Sequence, residues 1–150
     1  MQRNATLGWI WVVAQFVGLI IFVLMPWRET NVMWFILGAF LVAVGLLIGA
    51  LAFVSLGNAL TPTPVPRELS GLKTGGVYAY VRHPIYVALI VCMLGWVIAI
   101  GSWLTVLVGI VMIGFFAAKS RWEDRLLAEA YGDEWRAWAA RVGAFFPQKR

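Results

Sequence analysis

Apolar positions occupy this chain in long unbroken blocks, without the short periods of an amphipathic soluble domain. Three blocks cover residues 7–26, 32–56 and 85–118. About 20 apolar residues in helical form cross roughly 30 Å of hydrocarbon. The third block is too long for one span, and Gly101-Ser102 interrupts it, so we divide it into 85–100 and 103–118. The pattern predicts a single-domain, all-α integral membrane protein with about four transmembrane helices.

Two segments break the apolar pattern. Residues 57–80 contain Thr61-Pro62-Thr63-Pro64-Val65-Pro66 and several glycines. Each proline removes a backbone N–H donor and restricts the residue before it, so this segment cannot be helical. We therefore predict a Pro/Gly-rich cytoplasmic loop. After residue 118, charged residues alternate with apolar ones at helical spacing. This spacing predicts a C-terminal amphipathic helix lying on the membrane or on the protein. Gly132-Asp133 is expected to interrupt that helix, as a stop followed by an N-cap.

Composition and charge agree with a membrane protein. Hydrophobic residues make up 62% of the chain and charged residues 13%, whereas a soluble domain is about half apolar and a quarter charged. The net charge of +5 does not indicate nucleic acid, because eleven of the twelve Lys and Arg lie at the N-terminus, in 57–83 or after 118. This asymmetry is typical of a cytoplasmic face. We expect both termini in the cytoplasm, beneath a bacterial or archaeal inner membrane.

The predicted hairpin of the third and fourth helices brings the start of one beside the end of the other. Chemically versatile residues lie at these two places: Arg82, His83, Tyr86, Lys119, Glu123 and Asp124. Singly, each has a structural explanation, such as interfacial anchoring of a basic side chain or a proline at the first helical position. Their joint placement favours a functional site. A single His and a single Cys exclude a Cys/His zinc cluster, and we expect no metal.

The segment Arg82-His83-Pro84-Ile85-Tyr86 resembles the Arg-His-Pro-x-Tyr signature of the isoprenylcysteine carboxyl methyltransferase family, which is related to membrane phospholipid methyltransferases. The resemblance runs from about Gly57 to Pro147. It includes Thr61-Pro62, Thr74-Gly75, Glu123-Asp124 and the segment 131–135. It implies an enzyme that binds S-adenosylmethionine at the cytoplasmic edge and releases S-adenosylhomocysteine. The lipophilic acceptor is expected to arrive from the surrounding membrane lipids.

Site residues are implied by the same resemblance, within a cofactor region formed by 57–86 and 119–147. The expected cofactor contacts are Leu72, Tyr78, His83, Pro84, Ile85, Tyr86 and Glu123. Arg82 matches the functional arginine of the family, and with Glu123 it is expected to be catalytic. Lys119 matches a basic residue near the acceptor, so Lys119 and Arg82 are expected to bind substrate. The chain departs from the family pattern at five positions. Ala88 stands in place of Gly, Asp124 in place of a second Glu, Trp135 and Trp138 in place of Tyr, and Gly143 in place of Pro.

The expected reaction is methyl transfer to the carboxylate of an isoprenylcysteine-like or other isoprenoid molecule. A carboxylate is already ionised at neutral pH and needs no general base. An amine acceptor needs one, for which His83 and Glu123 are the candidates. Two alternatives therefore stay open: a phospholipid or amine N-methyltransferase, and a non-catalytic membrane module that retains the fold.

Overall fold

The structure, a computed structural model, describes residues 2–57 and 71–148, and the proline-rich segment at residues 61–66 lies outside them. All-α architecture is confirmed: the described residues form helices and no strand. In chain order the helices are α1 (Gln2–Leu24), α2 (Val32–Leu56), a 3-10 helix (Gly76–Ala79), α3 (Pro84–Ile100) and α4 (Trp103–Ala139).

The long helices have the length and surface of membrane spans. Three of them, α1, α2 and α4, are long and apolar enough to cross a bilayer, and α3 with 17 residues is at the lower limit. Large apolar side chains stay exposed along α1 and α2. Phe16 and Ile20 are each 57% exposed, and Val54 is 80% exposed. A helix that is apolar on every face needs lipid or protein around it, so the chain is an integral membrane protein.

Local sequence accounts for where the helices begin. The Asn31 side chain accepts from the backbone N–H of Trp34 and caps α2. Pro84 occupies the first turn of α3, where its missing N–H costs nothing. Gly101 ends α3, and Ser102 caps α4 in a reciprocal capping box with Thr105. The predicted hinge at Gly101-Ser102 is therefore confirmed.

The fourth helix extends much further than the sequence analysis expected. We predicted a span over 103–118 followed by a separate amphipathic helix, but α4 continues unbroken from the span into that amphipathic segment. At about 1.5 Å per residue the part of α4 before Gly132 is about 43 Å long, well beyond the hydrocarbon. The reason is that neither proline nor glycine occurs between Gly114 and Gly132. Non-helical geometry occurs at Gly132 (φ 53°), so the predicted interruption there is confirmed.

Helices α2 and α3 approach so closely that backbone meets backbone. A Cβ at Gly38 would lie 2.6 Å from the backbone N of Ala99, and a Cβ at Gly95 would lie 2.6 Å from the carbonyl oxygen of Gly38. Small residues on facing helix surfaces permit this approach in membranes, where van der Waals packing drives association. Farther along the pair, a Cβ at Gly49 would lie 3.5 Å from the methyl group of Ala88, an ordinary van der Waals distance. The family departure at Ala88 therefore fits between the two helices without a clash.

Helix α1 packs against α4 and completes the bundle. Phe22 of α1 is buried in the main apolar cluster with Met93, Met112 and Phe116. At the end of the bundle away from the predicted site, the backbone N–H of Arg28 donates to the carbonyl of Ile100 at 3.0 Å. This bond joins the α1–α2 turn to the α3–α4 turn.

The chain after α4 returns to the start of α3. Backbone N–H groups of Arg82 and His83 donate to the carbonyls of Gly143 and Ala144 at 2.8 and 3.0 Å. A Cβ at Gly143 would overlap the carbonyl of Phe146, so this tight turn requires glycine. The departure from proline at this position therefore has a local steric reason. The C-terminal segment and the Arg-His-Pro segment form one hydrogen-bonded unit.

Candidate active site

Two consecutive carboxylates on α4 face the beginning of α3. Asp124 Oδ1 lies 3.0 Å from His83 Nε2, and Glu123 Oε2 lies 3.5 Å from His83 Nδ1. The hydroxyl of Tyr86 donates a short hydrogen bond to the other oxygen of Glu123. His83 is 7% exposed, so this network of one imidazole, one phenol and two carboxylates is largely shielded from solvent.

Arg82 is held by groups of the protein itself. One terminal nitrogen donates to the carbonyls of Ala139 and Val142 at 2.9 and 3.1 Å, and the other donates to Asp124 at 3.1 Å. The guanidinium carbon lies 5.6 Å from the ring centroid of Trp135, within cation–π distance. Both terminal nitrogens are therefore engaged. A two-pronged contact of these nitrogens with an acceptor carboxylate, as the family's functional arginine suggests, would require them to exchange partners.

Lys119 lies one turn before Glu123 on α4 and is almost fully buried. Its side chain is 4% exposed, its Nζ donates to the amide oxygen of Gln15 on α1, and it stands 5.3 Å from the ring centroid of Tyr86. The Tyr86 ring in turn stacks on His83 (5.6 Å between centroids) and on Phe116 (5.2 Å). Tyr86 therefore connects the lysine to the carboxylate network.

Buried hydrogen-bond donors without partners lie beside this network. In residues 2–57 and 71–148, four buried side-chain nitrogens have no hydrogen-bond partner: Arg82 Nε, Trp96 Nε1, Trp135 Nε1 and Trp138 Nε1. All but that of Trp96 belong to the region where Arg82 meets the end of α4. An unpaired buried donor costs about 1–3 kcal/mol, and native proteins rarely leave several together. Three such donors at one place indicate a binding site for a ligand with acceptor atoms.

The apolar side of the same region is formed by residues at the end of the loop segment and at the end of the chain after Glu134. Tyr78, Trp138 and Val142 form a buried cluster, against which Leu72 and Trp135 pack. Burial, together with the negative charge of Glu123, raises the pKa of Tyr78 to about 12, so this phenol stays neutral. The aromatic surface and the unpaired donors are therefore adjacent.

Every residue assigned from the sequence lies in this region. Arg82, His83, Tyr86, Lys119 and Glu123 meet as the hairpin predicted, Leu72 and Tyr78 line the apolar cluster, Pro84 is fully buried and Ile85 is half-buried. Their individual roles stay predictions.

Two features of the site were not predicted. Gln15 contacts Lys119 from a helix outside the resembling segment, and its signal was a lone amide within an otherwise apolar span. The C-terminal backbone pairs with Arg82 and His83, for which no side-chain pattern exists.

His83 gives the protein a predictable pH dependence. Burial lowers its pKa, but the hydrogen bonds to Asp124 and Glu123 and their negative charges outweigh burial, so the pKa of His83 is raised. Ionised carboxylates only accept hydrogen bonds, so they favour the form of His83 in which both ring nitrogens carry a proton. A raised folded-state pKa stabilises the protein fully below the unfolded value of about 6.5, and this stabilisation is lost as pH rises through the folded value.

We therefore expect the free energy of unfolding to fall as pH rises above about 6.5, by at most about 1.4 kcal/mol per pH unit from this group. Thermal unfolding of the detergent-purified protein measured at stepped pH, with His83→Gln alongside, checks this result. His83 faces Glu123 and Asp124 from α4 and Tyr86 from α3. Of these side-chain types, only the imidazole has an ordinary pKa near neutrality. If the unfolding temperature depended on pH in the same way in the wild type and in His83→Gln, this role of His83 would be contradicted.

Comparison with known proteins identifies the class to which this site belongs. The sequence pattern of the phospholipid methyltransferase family matches residues 33–134, which is more than half of the chain. The chain belongs to the phospholipid methyltransferase family. That segment contains α2, α3 and most of α4, and with them the Arg-His-Pro segment and both carboxylates.

A relative with a curated name supports the resemblance that was seen in the sequence. The chain is 34% identical over 77 residues to the protein-S-isoprenylcysteine O-methyltransferase of Schizosaccharomyces pombe. The aligned residues are 51% of this chain and 33% of the relative, so the chain spans about a third of that protein's length. The predicted relationship to both methyltransferase groups is confirmed.

Proposed function

We propose that this protein transfers a methyl group from S-adenosylmethionine to the carboxylate of an isoprenylcysteine-like or other isoprenoid acceptor. The observation that carries the proposal is the group of three unpaired buried donors, Arg82 Nε, Trp135 Nε1 and Trp138 Nε1, beside the carboxylate network. Membership of a methyltransferase family supports the reaction class. The name of the Schizosaccharomyces pombe relative supports the acceptor.

The residues present fit S-adenosylmethionine. Its carboxylate and ribose hydroxyls offer acceptor atoms for the three unpaired donors, and Glu123 would hold its amino or hydroxyl groups. The ring face of Tyr78 suits a sulfonium cation, whereas the Tyr86 ring is already covered by His83 and Phe116. When bound, the cofactor supplies an electrophilic methyl group, and the electrons of the broken carbon–sulfur bond remain on sulfur. The protein's task is then alignment of the two reactants and exclusion of water.

The protonation state of the network supports a carboxylate acceptor over an amine. An amine acceptor must lose a proton, and a base in the site must accept it. His83 is a poor candidate for this base because both of its ring nitrogens face carboxylates, which favour its protonated form. Glu123 accepts from Tyr86 and interacts with His83. A carboxylate needs no deprotonation, and the buried ammonium of Lys119 offers it a cationic partner.

Arg82 acts in this proposal mainly as a positioning residue. It fixes Asp124 and the carbonyls of Ala139 and Val142, and so holds α3, α4 and the C-terminal segment together beneath the cofactor. Its remaining donor, Nε, is available to a ligand. With both termini in the cytoplasm, as the charge distribution suggests, this site opens at the cytoplasmic edge of the membrane.

Two measurements on the detergent-purified protein test the proposal. We expect saturable binding of S-adenosylhomocysteine by calorimetry. We also expect transfer of labelled methyl from S-adenosylmethionine to N-acetyl-S-farnesylcysteine, giving a base-labile methyl ester. Transfer to phosphatidylethanolamine instead, with a rate that rises with pH, would favour the amine reaction. Folded protein that binds no S-adenosylhomocysteine would favour a non-catalytic module.

A further inference from the structure

We propose that Gln15 of α1 positions the ammonium of Lys119 so that this ammonium binds the anionic head of the acceptor. The inference rests on the proposed function and adds a specificity residue to it. Gln15 lies outside residues 33–134, the segment that matches the family. The structure therefore supplies a component of the site from a helix that the family pattern does not describe.

Gln15 is a polar residue in the otherwise apolar contact between α1 and α4. Positions 11, 15, 18 and 22 of α1 are spaced by four, three and four residues, so they share one helix face. Trp11 packs in tilted geometry against Phe115 and Trp122 of α4, with ring centroids 5.1 and 6.2 Å away. Farther along the same face, Phe22 packs in the main apolar cluster. Between these aromatic contacts Gln15 meets Lys119 at 2.5 Å.

Lys119 is a buried basic residue without an anion at ion-pair distance. Its side chain is 4% exposed, and within residues 2–57 and 71–148 it forms no ion pair. Glu123, one turn farther along α4, attracts its Nζ electrostatically from beyond ion-pair distance. An ammonium has three N–H donors, of which Gln15 accepts one, while the Tyr86 ring faces the cation at 5.3 Å. A ligand carboxylate in direct contact with Lys119 would therefore give this buried charge a closer partner than the described residues supply.

The residue type at position 15 separates positioning from simple adhesion between helices. An amide oxygen holds an ammonium in place without neutralising it, and the same amide carries two N–H donors for an anion. A glutamate at this position would tie α1 to α4 at least as firmly, but it would cancel the positive charge that the acceptor needs. A helix-joining role predicts that Gln15→Glu is harmless, whereas the positioning role predicts that it weakens acceptor binding.

The test is steady-state kinetics of the full chain in lipid nanodiscs, with N-acetyl-S-farnesylcysteine as acceptor. We expect Gln15→Glu to raise the KM for this carboxylate about tenfold or more, because the acceptor meets a neutralised lysine. We expect kcat and the affinity for S-adenosylhomocysteine to change by no more than about twofold, since the loss is in acceptor binding. A KM for Gln15→Glu within about twofold of wild type overturns the inference.

Controls distinguish this inference from the proposed function. Trp11→Phe alters packing on the same face of α1 without changing charge, and its KM should stay close to that of wild type. If Gln15→Glu does not fold, Gln15→Met replaces it. Its inhibition is measured with a carboxylate analogue of the acceptor and with the uncharged farnesylcysteine carboxamide. Selective loss of carboxylate affinity supports positioning, and equal loss of both overturns it. Wild-type protein that binds S-adenosylhomocysteine but does not methylate the acceptor overturns both proposals.

Discussion

Replacing Arg82 with alanine is expected to lower kcat/KM for methyl transfer about a hundredfold or more, because the reactants lose alignment. The guanidinium donates to Asp124 from α4 and to two carbonyls at the end of α4, Ala139 and Val142. Without it, Asp124 and the buried His83 keep each other but lose their tie to the C-terminal segment. The affinity for S-adenosylhomocysteine should fall less than turnover does, because most partners of Arg82 are protein groups.

Arg82→Lys sharpens this test. A lysine keeps the positive charge but donates from one point, and it does not reproduce three contacts in a fixed fork. We expect Arg82→Lys to recover little of the lost turnover. Arg136→Ala is the matched control, because Arg136 forms an exposed ion pair with Asp133 on the same helix end. Full activity in Arg82→Lys would contradict a positioning role that depends on the fork.

Replacing Glu123 with glutamine should produce the largest loss of cofactor binding. Its carboxylate accepts from Tyr86, interacts with His83 and acts electrostatically on Tyr78. Glutamine keeps the shape but removes the charge that would hold the amino or hydroxyl groups of the cofactor. Hydrogen bonds to charged groups contribute about 1.5–3 kcal/mol, so the dissociation constant for S-adenosylhomocysteine should rise about tenfold to a hundredfold.

Calorimetric titration of Glu123→Gln measures this effect directly. Glu129→Gln is the matched control, because it makes the same chemical change at an exposed position on the same helix. Its affinity should equal that of the wild type. Parallel losses of S-adenosylhomocysteine affinity in Arg82→Ala and Glu123→Gln would remove the division of roles between the two residues.

The matched family segment and the complete site do not coincide. Residues 33–134 include His83, Tyr86, Lys119, Glu123 and Asp124, which form the ionisable network. The partners that fix this network lie on either side of the segment: Gln15 before it, and the carbonyls of residues 139 and 142–144 after it. The family pattern therefore does not cover every contact that holds this network.

The departures at Trp135 and Trp138 also acquire a physical meaning. Each indole brings one N–H donor and no acceptor, where a tyrosine would bring a hydroxyl capable of both. The two indole donors are buried and unpaired, and Trp135 also lies under the guanidinium of Arg82. They make this part of the site a donor surface, which suits a negatively charged portion of a ligand.

The class of fold follows from the sequence, and so does the meeting of the two helix ends that form the candidate site. Long apolar blocks predict membrane-spanning helices, because backbone N–H and C=O groups in hydrocarbon must form their hydrogen bonds within the protein. The hinge at Gly101-Ser102 then requires antiparallel helices, which brings Arg82 and His83 to Glu123. The Gly132 interruption followed from local backbone chemistry in the same way.

Tertiary structure alone decided the pairing within the site and the extent of α4. Sequence separation carries no information on which of two adjacent carboxylates meets Arg82, and helix phase selected Asp124 for Arg82 and Glu123 for Tyr86. The junction between span and amphipathic segment was invisible because polarity changes there while helix geometry does not. The pairing of residues 143–144 with Arg82 and His83 uses backbone groups, which every residue possesses, and Gln15 finds Lys119 only through the packing of α1 on α4. These contacts are long-range, and packing rather than local sequence specifies them.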